Sequence, residues 1–254
     1  MNSNGMRAIR LVAVVYAIGV TGLANAASVT ILNDNRTVRS SGNVASDTRT
    51  NSWSVADFSA NDTGVYNQTL DEARFAGANV ARSVATIASN ISTSGFVASG
   101  EAFGVVDLTP GSGGNNFSQA DALSQFEVRF TIDEPTNFSL RSLLEFDAIA
   151  GINRSRGNVQ LQLTSDFFSL SSGTSFARED FERNLLLSGT LDPDTYTLRV
   201  IASVDNDAFS SPFEVSGRAT YDVRLDLAPI PVPAAVWLFA SGLGMLLMRR
   251  SIRS

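Results

Sequence analysis

Phe126, Val128, Phe130 and Ile132 alternate with Glu127, Arg129 and Thr131, and this period of two constrains the fold more than any other feature. A strand sends successive side chains to opposite faces, so the apolar residues share one face and the polar ones the other. The beat returns in Phe138, Leu140 and Ser142, and again in Val159, Leu161 and Leu163. It also runs through Tyr196, Leu198, Val200, Ala202 and Val204, and through Ala219, Tyr221, Val223, Leu225 and Leu227. Asp133-Glu134-Pro135-Thr136-Asn137 and Asp192-Pro193-Asp194-Thr195 carry the residues that turn chains. The second turn, after Leu185 to Leu191, predicts a hairpin-like pair. Strands with one apolar face must bury it against another layer, so the expectation is all-β: a β-sandwich, jelly-roll-like.

The preceding part is harder to read. Ser28 to Leu32 and Ser52 to Phe58 alternate, with Val29/Ile31 and Trp53/Val55 each sharing a face. Between Asp71 and Ser92, Val80, Val84, Ile87 and Ile91 fall at helical spacing, yet the surrounding Ala, Ser, Thr and Asn favour caps and turns. The β character of the chain beyond Gln125 favours strand there. Thr109-Pro110-Gly111-Ser112-Gly113-Gly114-Asn115-Asn116 is a loop, and residues 109–120 are a candidate seam within the region 27–228.

Both ends depart from this pattern. Arg7 and Arg10 precede an apolar run from Leu11 to Leu23, and Ala24-Asn25-Ala26 supplies small residues at a cleavage position. Residues 1–26 are therefore expected to be a signal peptide removed by signal peptidase after Ala26. At the other end, Pro229, Pro231 and Pro233 impose an extended approach. Ala234 to Met248 is uncharged, and Arg249, Arg250 and Arg253 close the chain. Fifteen helical residues span about 22 Å, short of a hydrocarbon core of about 30 Å. A single transmembrane helix over 234–248 is expected, with its arginines on the cytoplasmic side.

Ile230-Pro231-Val232-Pro233-Ala234, the run Ala234-Ala235-Val236-Trp237-Leu238-Phe239 with Ser241-Gly242-Leu243, and the terminal arginines together resemble the PEP-CTERM sorting signal, in its Val-Pro-Leu-Pro-Ala variant. Val232 stands where the name-giving acidic residue would be. The resemblance covers residues 229–254 and implies that Pro231, Val232, Pro233, Ala234, Trp237, Arg249 and Arg250 form a sorting motif. It further implies an exported protein of an exopolysaccharide-producing Gram-negative bacterium, passing through the inner membrane to the cell envelope, surface or matrix. An exosortase-type membrane transpeptidase would process it. The run from Phe126, with Ser188-Gly189-Thr190-Leu191 and Thr195-Tyr196-Thr197-Leu198, more loosely resembles passenger domains that precede such tails; they bring no catalytic motif.

The chain has 254 residues, no cysteine and no histidine, and all 19 of its basic residues are arginine. Disulfides, thiolate nucleophiles, imine-forming amines and imidazole bases are all excluded. Five arginines lie in the terminal segments, leaving 14 against 25 acidic residues, a net charge of −11. That balance gives no footing for nucleic acid. A structural or binding role is expected, not catalysis. The alternative is a carbohydrate-active hydrolase using paired carboxylates, with Asp147, Glu179, Asp180 and Glu182 as candidates. Asp205-Asn206-Asp207 and Asp192-Pro193-Asp194 offer oxygen ligands on what reads as loops, making Asp205 and Asp207 candidates for Ca2+. Trp53 and Tyr66 are candidates for sugar stacking, though a core tryptophan is the commoner use. Asn-x-Ser/Thr occurs at Asn35, Asn61, Asn67, Asn90, Asn116, Asn137 and Asn153, in a chain rich enough in these residues to produce such matches without glycosylation.

Overall fold

A computed structural model describes residues 28–46, 49–60, 63–108, 116–150, 155–177, 179–209 and 214–230. Twelve strands account for nearly all of them. They are β1 (Val29–Ser46), β2 (Arg49–Ala60), β3 (Gly64–Ala76), β4 (Asn79–Ser92), β5 (Gly95–Asp107) and β6 (Phe117–Ile132), then β7 (Thr136–Ala150), β8 (Ser155–Thr164), β9 (Ser169–Ala177), β10 (Phe181–Leu191), β11 (Asp194–Phe209) and β12 (Glu214–Pro229). Two six-stranded sheets result: β2-β1-β6-β11-β8-β9, sheet A, and β10-β7-β12-β5-β4-β3, sheet B. Every resolved pairing is antiparallel. The protein is all-β and sandwich-like, and residues 27–228 form one compact unit. Among the described residues no helix is long and apolar enough to cross a membrane. The signal peptide, Ala24 and Ala26, and the sorting motif from Pro231 to Arg250 lie outside the described residues, as does the loop 109–115. The strands flanking that loop, β5 and β6, lie in opposite sheets and pack on each other.

The alternating residues meet between the sheets as expected. Phe126, Val128 and Phe130 are fully buried, and so are Leu161, Leu163, Leu198 and Val200. A chain of aromatic contacts ties the layers: Phe96 against Phe130 at 4.9 Å, Phe130 against Tyr196 at 5.7 Å, and Tyr196 against Phe168 at 6.3 Å. Each is at a separation where offset or edge-on packing adds to simple burial. The interior narrows elsewhere, where glycine admits a large neighbour. A Cβ on Gly157 would overlap the Phe146 ring, and one on Gly100 would lie 2.5 Å from the Tyr221 ring.

One expectation is met and two change. The segment 71–92 is strand, as expected: the end of β3, a turn at Gly77-Ala78, then β4. Its inward residues are Ala81, Ser83, Ala85, Ile87, Ser89 and Ile91, so small side chains on the buried face hid the alternation. Val80 and Val84 face outward, and their helical spacing with Ile87 is coincidence. The Asp192–Thr195 turn does not close a hairpin. β10 pairs with β7 in sheet B while β11 runs between β6 and β8 in sheet A, so the turn carries the chain across the core. Finally, β1 runs on to Ser46 through a register shift between Ile31 and Asn33. The extra residue exposes Leu32 and reverses the faces beyond it.

That reversal puts Asp34 and Arg36 inside. Their side chains are about 1% or less exposed, with Arg36 Nε 2.7 Å from Asp34 Oδ2. Arg36 Nη1 also donates to the Gly64 carbonyl at 3.2 Å, and its guanidinium lies over the Tyr66 ring, 5.1 Å from its centre. A buried charge needs such company, since removing either partner strands the other in low dielectric.

Candidate functional site

The outer faces of the two sheets carry the polar half of each alternation, and this is where ligands can reach. On sheet B, register aligns Thr69, Thr86, Glu101 and Thr220 across β3, β4, β5 and β12. The adjacent row aligns Asn67, Ala88, Ser99 and Asp222. These side chains are mostly short, so they leave a trough of about 620 Å³ across the strands, bounded towards β7 by Leu143 and Glu145. Its two glutamates are held in place. Arg218 donates Nε and Nη2 to the two oxygens of Glu101 at 3.0 and 2.9 Å, and the Thr220 hydroxyl donates to Glu145 Oε2 at 3.1 Å. The bonds to Glu101, and then its charge, raise the Arg218 pKa, with Asp147 and Glu145 adding to the effect. Beneath the trough Tyr221 is buried, which lifts its phenol above the ordinary value, and its hydroxyl lies 3.2 Å from Ser124 Oγ.

On sheet A two depressions open. One, of about 480 Å³, lies over Asn33, Asn35, Glu127, Arg129, Asp166 and Thr197. The other, of about 280 Å³, contains two acids. Asp121 of β6 and Asp205 of β11 are directly opposite in register. Burial raises the Asp121 pKa to about 7, helped by the charge of Asp205 and by a hydrogen bond between the two carboxyl groups. Gln119 Nε2 donates to both Asp121 oxygens at 3.3 and 3.1 Å, and Arg156 approaches Asp205 at 3.9 Å. Two carboxyl groups this close hold one proton between them more easily than two negative charges.

The fold disperses the residues singled out in the sequence. Asp205-Asn206-Asp207 is not a loop but the middle of β11. Alternation turns Asn206 into the core, where it is fully buried, and leaves Asp205 and Asp207 outside. The three cannot converge on one ion. Asp192 and Asp194 serve the crossing turn: the Tyr196 hydroxyl donates to the Asp192 carbonyl at 2.9 Å, and Thr195 N donates to Asp194 Oδ1 at 2.7 Å. Among the described residues no three Asp or Glu side chains cluster so as to hold a metal ion. Of the acids considered for hydrolysis, Asp147 faces outward on β7, Glu182 lies across from Glu145, and Asp180 accepts a bond from Ala148 N at 3.0 Å. Glu179 is exposed beside them. Trp53 is 8% exposed and donates its indole N–H to Ser40 Oγ at 3.0 Å, so it packs the core and cannot stack on a sugar. Tyr66 is partly buried under Arg36.

The trough acids Glu101, Glu145 and Asp222 do not stand out in the sequence. Their signal is present, since each occupies the outward beat of a strand. What the sequence does not supply is the neighbour order that brings β5, β12 and β7 side by side.

No protein-family model matches this chain, and no curated protein matches it. Among solved structures, a ruminal GH26 endo-β-1,4-mannanase matches at 10% identity and TM-score 0.18, over 44% of this chain and 18% of the mannanase chain. A structure of infectious bursal disease virus, Gx strain, matches at 9% identity and TM-score 0.19, over 84% of this chain and 64% of the viral one. The chain thus spans less than two thirds of either matched chain, and likeness at these scores carries neither a fold family nor an activity.

Proposed function

We propose that the chain is an exported cell-envelope or matrix protein whose sandwich region has a structural or binding role, associated with exopolysaccharide. On this view residues 1–26 direct export. The tail 229–254 spans the inner membrane transiently through helix 234–248 and is processed by an exosortase-type transpeptidase. The fold is a jelly-roll-like sandwich, in keeping with a chain that passes between its two sheets repeatedly.

The observation that carries the binding role is the sheet B trough. It presents hydroxyl, amide and carboxylate groups in register along a shallow surface, which suits a polyhydroxylated chain laid across the strands. Carboxylate rims favour a neutral glycan over an anionic one. Thiol, lysine amine and imidazole groups are absent from the sequence, which leaves hydroxyls and carboxylates as its only side-chain nucleophiles.

The test is binding and turnover of polysaccharide isolated from the producing cells, with Glu101→Gln, Glu145→Gln and Asp222→Asn variants. Saturable binding that the variants weaken, without new reducing ends, supports the proposal. Release of reducing ends, lost in a single carboxylate variant, points instead to a hydrolase. Export and sorting are tested separately. A tag after Ala27 should follow the protein out of the inner membrane, and Pro231→Ala with Pro233→Ala should hold it there unprocessed.

A further inference from the structure

We propose that the free edge of β2 is a self-recognition surface, pairing antiparallel with β2 of a second copy about a two-fold axis through Trp53. An edge strand presents unpaired N–H and C=O groups that another strand can satisfy, and natural edges are usually blunted against this. Two of the four edges here carry such devices. β9 has nine residues, a register shift against β8 between Gly157 and Val159, and Gly173 at φ +121°. β3 bears Asp71, Glu72 and Arg74. β10 carries two charges, as β2 does, but its Glu182 and Arg183 are adjacent and so face opposite sides of the sheet. β2 differs. It has twelve residues paired to β1 without a shift, no proline, and charges only at Arg49 and Asp57. Its outward side chains are Thr50, Ser52, Ser54, Ala56 and Phe58, the last 71% exposed. No described strand covers its other edge.

The two charges name the occupant. With Trp53 opposite Trp53 of the second copy, Ser52 meets Ser54, Asn51 meets Val55, Thr50 meets Ala56 and Arg49 meets Asp57, each pair occurring twice. Arg49 and Asp57 share a face, since they lie opposite Ser46 and the buried Val38 of β1, positions of equal parity. Directly opposed opposite charges stabilise a strand pair. Sliding the register by two residues in either direction loses both pairs. The symmetry is closed, so the product is a dimer with a continuous twelve-stranded sheet, not a fibre.

Within one copy Arg49 and Asp57 are eight residues apart on an extended strand, about 27 Å, too far to interact. A charge swap therefore separates partners from neighbours. In sedimentation of the full chain in detergent micelles, Arg49→Asp alone and Asp57→Arg alone should each weaken self-association at least about tenfold. The double variant should restore it to within about threefold, each ion pair having been rebuilt in reverse. A wild-type monomer, single variants that associate as well as wild type, or a double variant no better than the singles overturns the proposal.

Asp57 also accepts a bond from Gln68, so a conservative second test guards against misfolding. The chain has no cysteine, and Ser52 and Ser54 are exposed. Oxidant should cross-link a mixture of Ser52→Cys and Ser54→Cys chains far faster than either alone. Equal rates in the mixture and the separate samples overturn the two-fold through Trp53.

Discussion

Asp121→Asn isolates the carboxyl group that, among the described residues, has the environment most opposed to its charge. The folded chain holds this group at about pKa 7, against about 3.9 in an unfolded chain. Between those values the folded state keeps a proton that the unfolded state has released, so stability falls as pH rises from about 4 to about 7. Below about pH 4 both states are protonated and the full contribution is present; above about 7 it is gone. Three units correspond to about 4 kcal/mol at full value. Asp121 is partly exposed and shares its field with Asp205, Arg39 and Arg156 around the same depression, which cuts the effect to the order of 1–2 kcal/mol. Asparagine keeps the shape of the protonated acid and cannot ionise. Asp121→Asn should therefore match wild type at about pH 4 and exceed it by about 1–2 kcal/mol at pH 8, a window set by this shift. Urea unfolding of residues 27–228, which form one compact unit, across this range and compared between the two proteins, is the assay. A difference that is constant with pH would refute the reasoning, because an ionisation cost must vanish where the acid is protonated.

Other perturbations test the interior. Phe130→Ala removes the ring that joins Phe96 to Tyr196 and should cost about 3–5 kcal/mol in urea unfolding. Gly157→Ala drives a Cβ into the Phe146 ring and should cost about 1–3 kcal/mol, with Phe146→Leu in the same chain recovering part of it. Neither amide atom of buried Asn206 has a hydrogen-bond partner among the described residues. Asn206→Leu, of similar volume, should raise the thermal midpoint, corresponding to about 1–2 kcal/mol; a lowered midpoint would mean that the amide is satisfied in solution. Asp34→Asn alone should cost about 3–5 kcal/mol, whereas Asp34→Leu with Arg36→Met should come close to neutral, which a double-mutant cycle measures.

The legible part of the fold is the part with large apolar residues on every second position. β6, β11 and β12 can be read almost residue by residue, because Phe, Val, Leu and Tyr leave no doubt about which face is buried. β4 cannot: its buried face is Ala81, Ser83, Ala85 and Ser89 with two isoleucines, and the Ser83 hydroxyl is paired with Ser40 Oγ of β1 in the facing sheet, a contact the sequence does not announce. β1 is obscure for a different reason. One inserted residue inverts the parity of everything after it, so Asp34 and Arg36, which any residue-by-residue scale places in water, are among the most buried side chains in the protein. The candidate sites are hidden by topology. Asp121 and Asp205 are 84 positions apart in sequence and meet only because β11 returns antiparallel along β6. Glu101 and Thr220 meet across β5 and β12 in the same way.

The same parity explains why a polar tripeptide misleads where an apolar tetrad does not. In a loop, Asp205, Asn206 and Asp207 could turn their oxygens to one point, and hard cations need that convergence. In a strand the middle residue belongs to the other face, and it reaches the interior whatever its polarity. Sequence context decides between the two states, and here it is available: Val204 before the tripeptide and Ala208 after it continue the inward beat set by Tyr196, Leu198, Val200 and Ala202. Asn206 occupies the next inward position. Its amide sits against Gly104, where an added Cβ would lie 2.5 Å from its side-chain nitrogen. That glycine makes the room, whereas Gly217 makes room chiefly for Ser155, whose hydroxyl an added Cβ there would overlap. Replacing Gly104 by alanine should therefore destabilise wild type more than it destabilises an Asn206→Ala chain, in which the space is already open. Equal losses in both backgrounds would show that Gly104 is needed for the backbone alone and not for the side chain it faces.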